Sequence, residues 1–257
     1  MGKKTVVYSD DFFAVHERGA VQSAASVVPK LLGLVSPQNV VDVGCGIGVW
    51  QAEFGNCGIH DAIGVDGDYV NRDRLRIDPA RFLVRDLREP LDLGRRFDLA
   101  VSLEVAEHLP PSRAHGFISD LVKLAPIVLF SAAIPFQGGT FHVNEQWPDY
   151  WEGIFRLHNY IALDCLRPVL WTDEKVDWWY RQNIVLYASP QGLNDNPSLQ
   201  RIAELQPPSV ARLVHPRLYE QTYQAALNPG LKTVLRSLPR ALRTAADWHL
   251  KRHLTAR

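Results

Sequence analysis

The sequence predicts an α/β protein: a seven-stranded, mostly parallel sheet with helices on both faces, followed by a helical C-terminal extension. Three observations carry that expectation. From Asn39 to about Ser189, short β-branched runs alternate with helix-length segments, the rhythm of a sheet covered on two sides. The runs are apolar almost without alternation, as strands buried on both faces are. A glycine-rich stretch follows the first run directly, where a strand must turn sharply into a helix.

Taken in order, residues 10–34 read as a helix that the Ser36-Pro37 turn ends. Strands are expected at 40–43, 62–65, 82–84, 99–103, 127–130, 162–166 and 184–188. After Ser189 the texture changes. Pro190, Gly192, Asn194 and Pro197 read as a linker, and the helical pieces beyond it are interrupted at Pro207, Pro208, Pro216, Pro229 and Pro239. The expected units are a core domain at 1–190 and an extension at 191–257.

The 257 residues are 46% hydrophobic and 22% charged, the balance of a soluble globular chain able to bury a sizeable core. Lys and Arg number 28, as do Asp and Glu, so the formal net charge is zero. That balance counts against a protein whose main task is gripping a nucleic-acid backbone. Cys45, Cys57 and Cys165 are odd in number and widely spaced, which suits a reducing compartment and forms neither a disulfide framework nor a zinc knuckle. No run is apolar for long enough to span a bilayer. The first residues hold no apolar signal core, and Val6 stands where a myristoylation signal wants Ser or Thr. A cytoplasmic address is the expectation.

The run Val40-Val41-Asp42-Val43-Gly44-Cys45-Gly46-Ile47-Gly48 is a buried strand entering a tight turn. Its G-x-G-x-G spacing differs from the G-x-G-x-x-G of dinucleotide sites. The next strand ends in Asp66-Gly67, where a carboxylate can accept from two ribose hydroxyls. The third ends in Asp86-Leu87, where the acid can accept from the exocyclic amine of adenine and the following N–H can donate to the ring.

With the segment from Phe97 to Leu109, these motifs resemble class I S-adenosylmethionine (SAM)-dependent methyltransferases over residues 40–189. The resemblance implies a Rossmann-like sheet of seven strands, the last antiparallel, and SAM as cofactor. It also implies that Gly44, Gly46 and Gly48 face the methionine part, Asp66 the ribose, and Asp86 with Leu87 the adenine. Leu103 and Glu104 would lie on the floor beside the sulfonium, with Asp42 and Gly67 completing the cofactor set.

For the acceptor, Glu104-Val105-Ala106-Glu107-His108 stands out. As the start of a helix it would put Glu104, Glu107 and His108 on one face, and His142 would reach the same carboxyl edge from beyond the next strand. Two carboxylates and two imidazoles can hold Mg²⁺ or Mn²⁺ with positions left for a substrate diol. The set resembles the Glu-x-x-Glu-His plus distal His of small-RNA 3′-terminal 2′-O-methyltransferases. It is also similar to the Glu-x-x-Glu-His segment of ubiquinone-pathway O-methyltransferases. Glu104, Glu107, His108 and His142 are then the ligands, although around His142 only that histidine and Glu145 follow either pattern. A metal-free reading stands beside it, with His108 or His142 and Glu107 as acid–base groups, or with these side chains merely packing.

Trp147, Trp151 and Phe155 recur at helical spacing and read as a core stripe, whereas Trp178, Trp179 and Tyr180 suit core or stacking equally. Residues 130–151, with Gln182-Asn183, also resemble a group of bacterial methyltransferases associated with glycan and secondary-metabolite assembly. The expected reaction is therefore O-methylation of a sugar or other polyhydroxylated small molecule. RNA 2′-O-methylation and a catalytically silent SAM-binding scaffold are the rival readings.

From Leu231 onward, Lys232, Arg236, Arg240, Arg243, Lys251, Arg252 and Arg257 face only Asp247 among acids, and leucines recur between them. Such a segment suits peripheral contact with an anionic membrane, docking on its own domain, or a homodimer contact through these helices.

Overall fold

The computed structural model describes residues 10–243 apart from 208, 232 and 241, with side chains from Glu17 onward. Pro208, Lys232, Asp247, Lys251, Arg252 and Arg257 therefore lie outside the described residues. The chain divides into two compact units, 1–213 and 214–257.

The first unit is built on seven strands: β1 (Asn39–Val43), β2 (Asp61–Asp66), β3 (Phe82–Val84), β4 (Leu99–Leu103), β5 (Ile127–Ser131), β6 (Ile161–Leu163) and β7 (Val185–Ala188). They form one sheet in the order β3-β2-β1-β4-β5-β7-β6. The β1–β5 neighbours pair in parallel, and β7 runs antiparallel to both β5 and β6. Each expected run contains a strand, although β6 stops at Leu163 rather than continuing to Leu166, and the last strand reverses as the resemblance implied.

The apolar runs are unbroken because alternate residues serve opposite layers. Val40, Leu99 and Val101 join one core with Val28 and Leu31 of α1 (Asp10–Leu32) and Phe54 of α2 (Val49–Asn56). Val41, Val43 and Ala100 join the other with Phe117 and Leu121 of α3 (Ala114–Leu124) and Phe155 of α4 (Pro148–Leu157). In α4, Trp151 and Phe155 are buried as the stripe predicted. Trp147 instead precedes the helix, with the Arg212 guanidinium 5.5 Å from its ring centre.

Two short helices, α5 (Arg167–Leu170) and α6 (Trp178–Asn183), lead into β7, and α6 buries Trp178 and Tyr180. The stretch after Ser189 corrects the linker reading: it forms α7 (Pro190–Asp195) and α8 (Pro197–Leu205). Each proline occupies a first-turn position, where its missing N–H costs nothing, so these prolines start helices rather than separating them. The Ser189 hydroxyl accepts from the Gly192 N–H at 3.1 Å, and Leu199 is fully buried.

The second unit begins with α9 (Pro216–Leu227), again opened by proline, with the His215 ring accepting from the Arg217 N–H at 3.2 Å. The described residues between Leu231 and Arg243 are helical, and Pro239 lies inside that run instead of breaking it. No helix among the described residues is long and apolar enough to cross a membrane.

Phe155 is wholly buried and stacks on Tyr187 with ring centres 3.8 Å apart, whereas Leu157 in the same helix is 71% exposed. Phe155→Ala should cost about 3–5 kcal/mol by urea denaturation, and Leu157→Ala less than about 0.5 kcal/mol.

Candidate functional site at the carboxyl edge of the sheet

The chain leaves β1 through three left-handed residues, Gly44, Gly46 and Gly48, at φ 86°, 54° and 81°. A Cβ on Gly44 would collide with the Val105 methyls, and one on Gly48 with Ile77, so conformation and space both demand glycine there. The Gly44 N–H continues the ladder to the Val65 carbonyl at 2.7 Å. The Gly46 N–H turns to the Asp66 carboxylate, donating to Oδ2 at 2.7 Å. On the other side Asp66 Oδ1 accepts from the Gly67 N–H at 2.7 Å and from the Tyr69 hydroxyl. A ribose arriving at Asp66 would compete with Tyr69 for that oxygen.

Asp42 sits one strand position inside the turn. Its carboxyl is 2% exposed and Oδ2 has no hydrogen-bond partner. Burial, and then the charge of Asp66, push its pKa up to about 8. An ammonium group brought here would supply both the missing donor and the opposite charge.

Asp86 lies beyond β3 at the surface, closed in a two-residue loop by Arg88. The Arg88 Nε donates to Oδ1 at 2.9 Å, its Nη2 donates to Oδ2 at 2.6 Å, and its backbone N–H adds a third bond. These donors hold the Asp86 carboxyl at about 2. Leu87 beside it is buried, and its carbonyl accepts from the Arg113 Nε at 3.1 Å. Arg113 also pairs with Asp120, which receives the Leu91 N–H at 2.9 Å, so one largely buried ion pair pins the loop after β3.

The segment after β4 departs from the expected helix. Glu104 is left-handed at φ 55°, and only a 3₁₀ turn, Ala106–His108, follows. Glu104 thus leaves the helical register it was expected to share with Glu107 and His108, although its carboxyl stays close to that of Glu107. Its carboxylate accepts from Asn183 Nδ2 and Gln137 Nε2, each at 3.0 Å, within an amide cluster completed by Gln182. Burial, outweighing these bonds, raises its pKa.

Glu107, His108 and His142 do come together, each with one donor atom within 4.8 Å of the others. Glu107 is fully buried and neither carboxylate oxygen reaches a hydrogen-bond partner, although the N–H of Ala133 and the Glu104 carboxyl are near. Burial and the Glu104 charge raise its pKa well above the usual range. The His108 and His142 rings meet edge to face, centres 4.8 Å apart. Burial, and then His142, lower the His108 pKa.

The loop that brings in His142 is stapled by a single carboxylate. Glu145 accepts from the Phe136 N–H at 2.8 Å, the Gly138 N–H at 2.9 Å and His142 Nδ1 at 3.0 Å. Phe136 and Phe141 sit at φ 71° and 63°, a region that costs a non-glycine residue about 1–3 kcal/mol. Two N–H groups, from Val143 and Asn144, then anchor the loop on the Glu107 carbonyl at 2.8 and 3.0 Å. With Nδ1–H given to Glu145, Nε2 carries the free lone pair, and the missing side chain of Gly139 leaves that nitrogen room.

The expected set thus gathers at one edge, with Glu104 outside the Glu107–His108–His142 trio. Tyr69 and Gln137 carried no sequence signal, being single polar residues in loops. Glu145 was visible only as a neighbour of His142. A cavity of about 590 Å³ lies at the opposite edge of the sheet, lined by Val35, Asp98, Pro126 and Asn196 among others, and holds none of these groups.

A family model described as a methyltransferase domain matches residues 16–152. No curated protein matches the chain. Among solved structures, the amino pentose methyltransferase CalS10 of Micromonospora echinaspora is 14% identical. The match covers 73% of this chain and 99% of that one at a TM-score of 0.50, a likeness of fold. The methyltransferase domain of a bacterial CtHen1 is 19% identical over 66% of this chain and 98% of its own, with a TM-score of 0.49. The magnesium protoporphyrin IX methyltransferase of Synechocystis PCC 6803 is 20% identical over 73% and 90%, with a TM-score of 0.48.

Folded Asp42 holds its proton far more tightly than at its ordinary value of 3.8, so the stability it contributes is complete below about pH 4. That stability is lost as pH rises through the folded value of about 8. Asp42→Asn should remove this component. Thermal denaturation of the ligand-free protein between about pH 5 and pH 8.5 should show a smaller fall for the variant than for the wild type.

Proposed function

We propose, given that the chain belongs to the class I SAM-dependent methyltransferase family, that it methylates a hydroxyl of a sugar or another polyhydroxylated small molecule. Membership makes the protein a methyltransferase that takes its methyl group from SAM; the acceptor and the residue roles are our reading. The observation that carries it is His142, oriented by Glu145 and set against His108 beside the unpartnered Glu107 carboxyl. A hydroxyl must shed its proton as it attacks, whereas an amine attacks through a lone pair it already has. A held imidazole with a free nitrogen answers the first need.

SAM supplies a methyl group activated by its sulfonium, and the protein has to align the acceptor oxygen behind it. On this reading Asp42 and the turn of Gly44, Gly46 and Gly48 take the methionine end. Asp66 with Gly67 takes the ribose, and Asp86 with Leu87 the adenine. Leu103 and Glu104 form the floor, where the Gln137–Asn183 amides hold the Glu104 carboxylate in place. His142 Nε2 receives the acceptor's proton, and Glu145 stabilises the imidazolium that results. His108, kept neutral by burial, stays as a hydrogen-bonding partner.

The trio also fits a divalent cation: Glu107 has two unpartnered oxygens, and Glu145 supplies the outer carboxylate that ligating histidines characteristically have. Glu107, His108 and His142 would hold it, and its chemistry would be a lowered pKa for a coordinated hydroxyl. A vicinal diol at an RNA end has the same chemistry, but the zero formal charge favours a small polyol.

Incubation with methyl-¹³C SAM and a crude glycan extract should give an ether methyl resonance, and His142→Ala should lower its rate of appearance about 10²–10⁴-fold. Labelling confined to amines would overturn the reading. In calorimetry with S-adenosylhomocysteine bound, Mn²⁺ should bind the wild type. Glu107→Ala should abolish that binding, and Glu145→Gln should weaken it about 10–100-fold. Silence in the wild type removes the cation and leaves His142 as the base.

A further inference from the structure

Asp66 is already covered in this structure. The residue is 3% exposed, and among the described residues its carboxylate accepts from the Gly46 N–H, the Gly67 N–H and the Tyr69 hydroxyl. The two N–H groups belong to the main chain around the end of β2 and the glycine turn. The third donor is a side chain that has folded back over the strand end. The Tyr69 ring lies against Gly67, and a Cβ on Gly67 would collide with it. The bare backbone of Gly67 therefore gives the ring its place.

A ribose offers Asp66 a hydroxyl, and Tyr69 offers the same group to the same acid. Oδ1 already takes the Gly67 N–H, so its second lone pair serves one hydroxyl, from the tyrosine or from a sugar. Tyr69 is itself 80% exposed, so burial does not hold it there. The far end of its loop is fixed instead. The Arg76 N–H donates to the Ile47 carbonyl at 2.9 Å, and Ile77 lies against Gly48. Arg74 Nη2 and Arg76 Nε both donate to Glu17 of α1, at 2.6 and 2.8 Å. Rotation about the side-chain bonds of Tyr69 is thus enough to uncover the acid, while the rest of the loop stays in place.

We propose, resting on the reading that Asp66 holds the ribose, that Tyr69 stands in for that ribose while the site is empty and must withdraw before SAM or S-adenosylhomocysteine can seat. Binding is then an exchange of one hydroxyl for another. Both ligands bind less tightly than an uncovered acid would allow, by the fraction of molecules in which Tyr69 has withdrawn. The same exchange favours release of S-adenosylhomocysteine after methyl transfer, because Tyr69 returns to the carboxylate that the departing ribose leaves unpaired.

The test is calorimetric titration of the full chain with S-adenosylhomocysteine and with its 2′,3′-dideoxy analogue. Tyr69→Phe keeps the ring, removes one hydroxyl from an exposed residue, and should leave the circular dichroism of the wild type. It should bind S-adenosylhomocysteine about 3–10-fold more tightly than the wild type does. A tyrosine that merely props Asp66 in position, or that bonds to the bound ligand, would give the opposite sign. The wild type should bind the dideoxy analogue at least about tenfold more weakly than S-adenosylhomocysteine, since the analogue brings no hydroxyl to the acid. Weak binding of the analogue together with unchanged or weaker binding of S-adenosylhomocysteine by Tyr69→Phe overturns the role of Tyr69 alone. Equal binding of the two ligands by the wild type instead removes the ribose from Asp66, and the role of Tyr69 falls with it.

Discussion

The parallel register of β1, β2, β4 and β5 is the constraint on which the rest depends. Val43 lies beside Val65, Asp66 beside Val84, and Leu103 beside Ser131, so the strands run out at one common edge. Backbone groups just past those ends have no further ladder to join, and each must find another partner or a ligand. Gly46 finds the Asp66 carboxylate, and Glu104 finds Ser131 through both its carbonyl and its hydroxyl. The left-handed residues Gly44, Gly46, Gly48 and Glu104 follow from the same constraint, because a strand that stops at a crowded edge must turn at once.

Burial dominates the electrostatics of that edge. Asp42, Glu104 and Glu107 all have raised pKa values with desolvation as the first cause. Such acids are stable only when protonated, bonded by neutral donors, or met by an incoming positive charge. Glu104 takes the second course through Gln137 and Asn183. Asp42 and Glu107 keep unpartnered oxygens, the first in the strand that enters the glycine turn and the second beside the histidine pair.

The strands and the glycine turn were legible because their causes are local. A run apolar without alternation means burial on two faces, and three glycines at spacing two mean a backbone bent where side chains cannot go. The cluster around Glu104, Glu107, His108 and His142 was less legible. A period of 3.6 put Glu104 with Glu107 and His108, but one left-handed residue cancels that period, and no pattern in Glu104-Val105-Ala106 announces it. Prolines misled in the opposite direction. Pro190, Pro197 and Pro216 look like interruptions in one dimension, yet each begins a helix, and Pro239 is carried within one. Long-range pairings such as Asn183 with Glu104, 79 residues apart, leave no trace in spacing at all.

The two sides of the edge differ in what holds them. The side with the glycine turn is largely main chain: a turn without side chains, ladder bonds, and a carboxylate fed by backbone N–H groups. The histidine side leans on one side chain, with Glu145 gathering the Phe136 and Gly138 N–H groups and His142, beside the two N–H groups that reach the Glu107 carbonyl. Divergence can therefore proceed unevenly. Descendants of this chain can exchange the exposed side chains of Phe136, Thr140 and Phe141 while Gln137, Gly138, Gly139 and Glu145 are retained, and so reshape the rim beside the histidines with the glycine turn unaltered. Loss of Glu145 would instead free Phe136, Gly138 and His142 in one step, making that glutamate the point at which gradual change becomes abrupt.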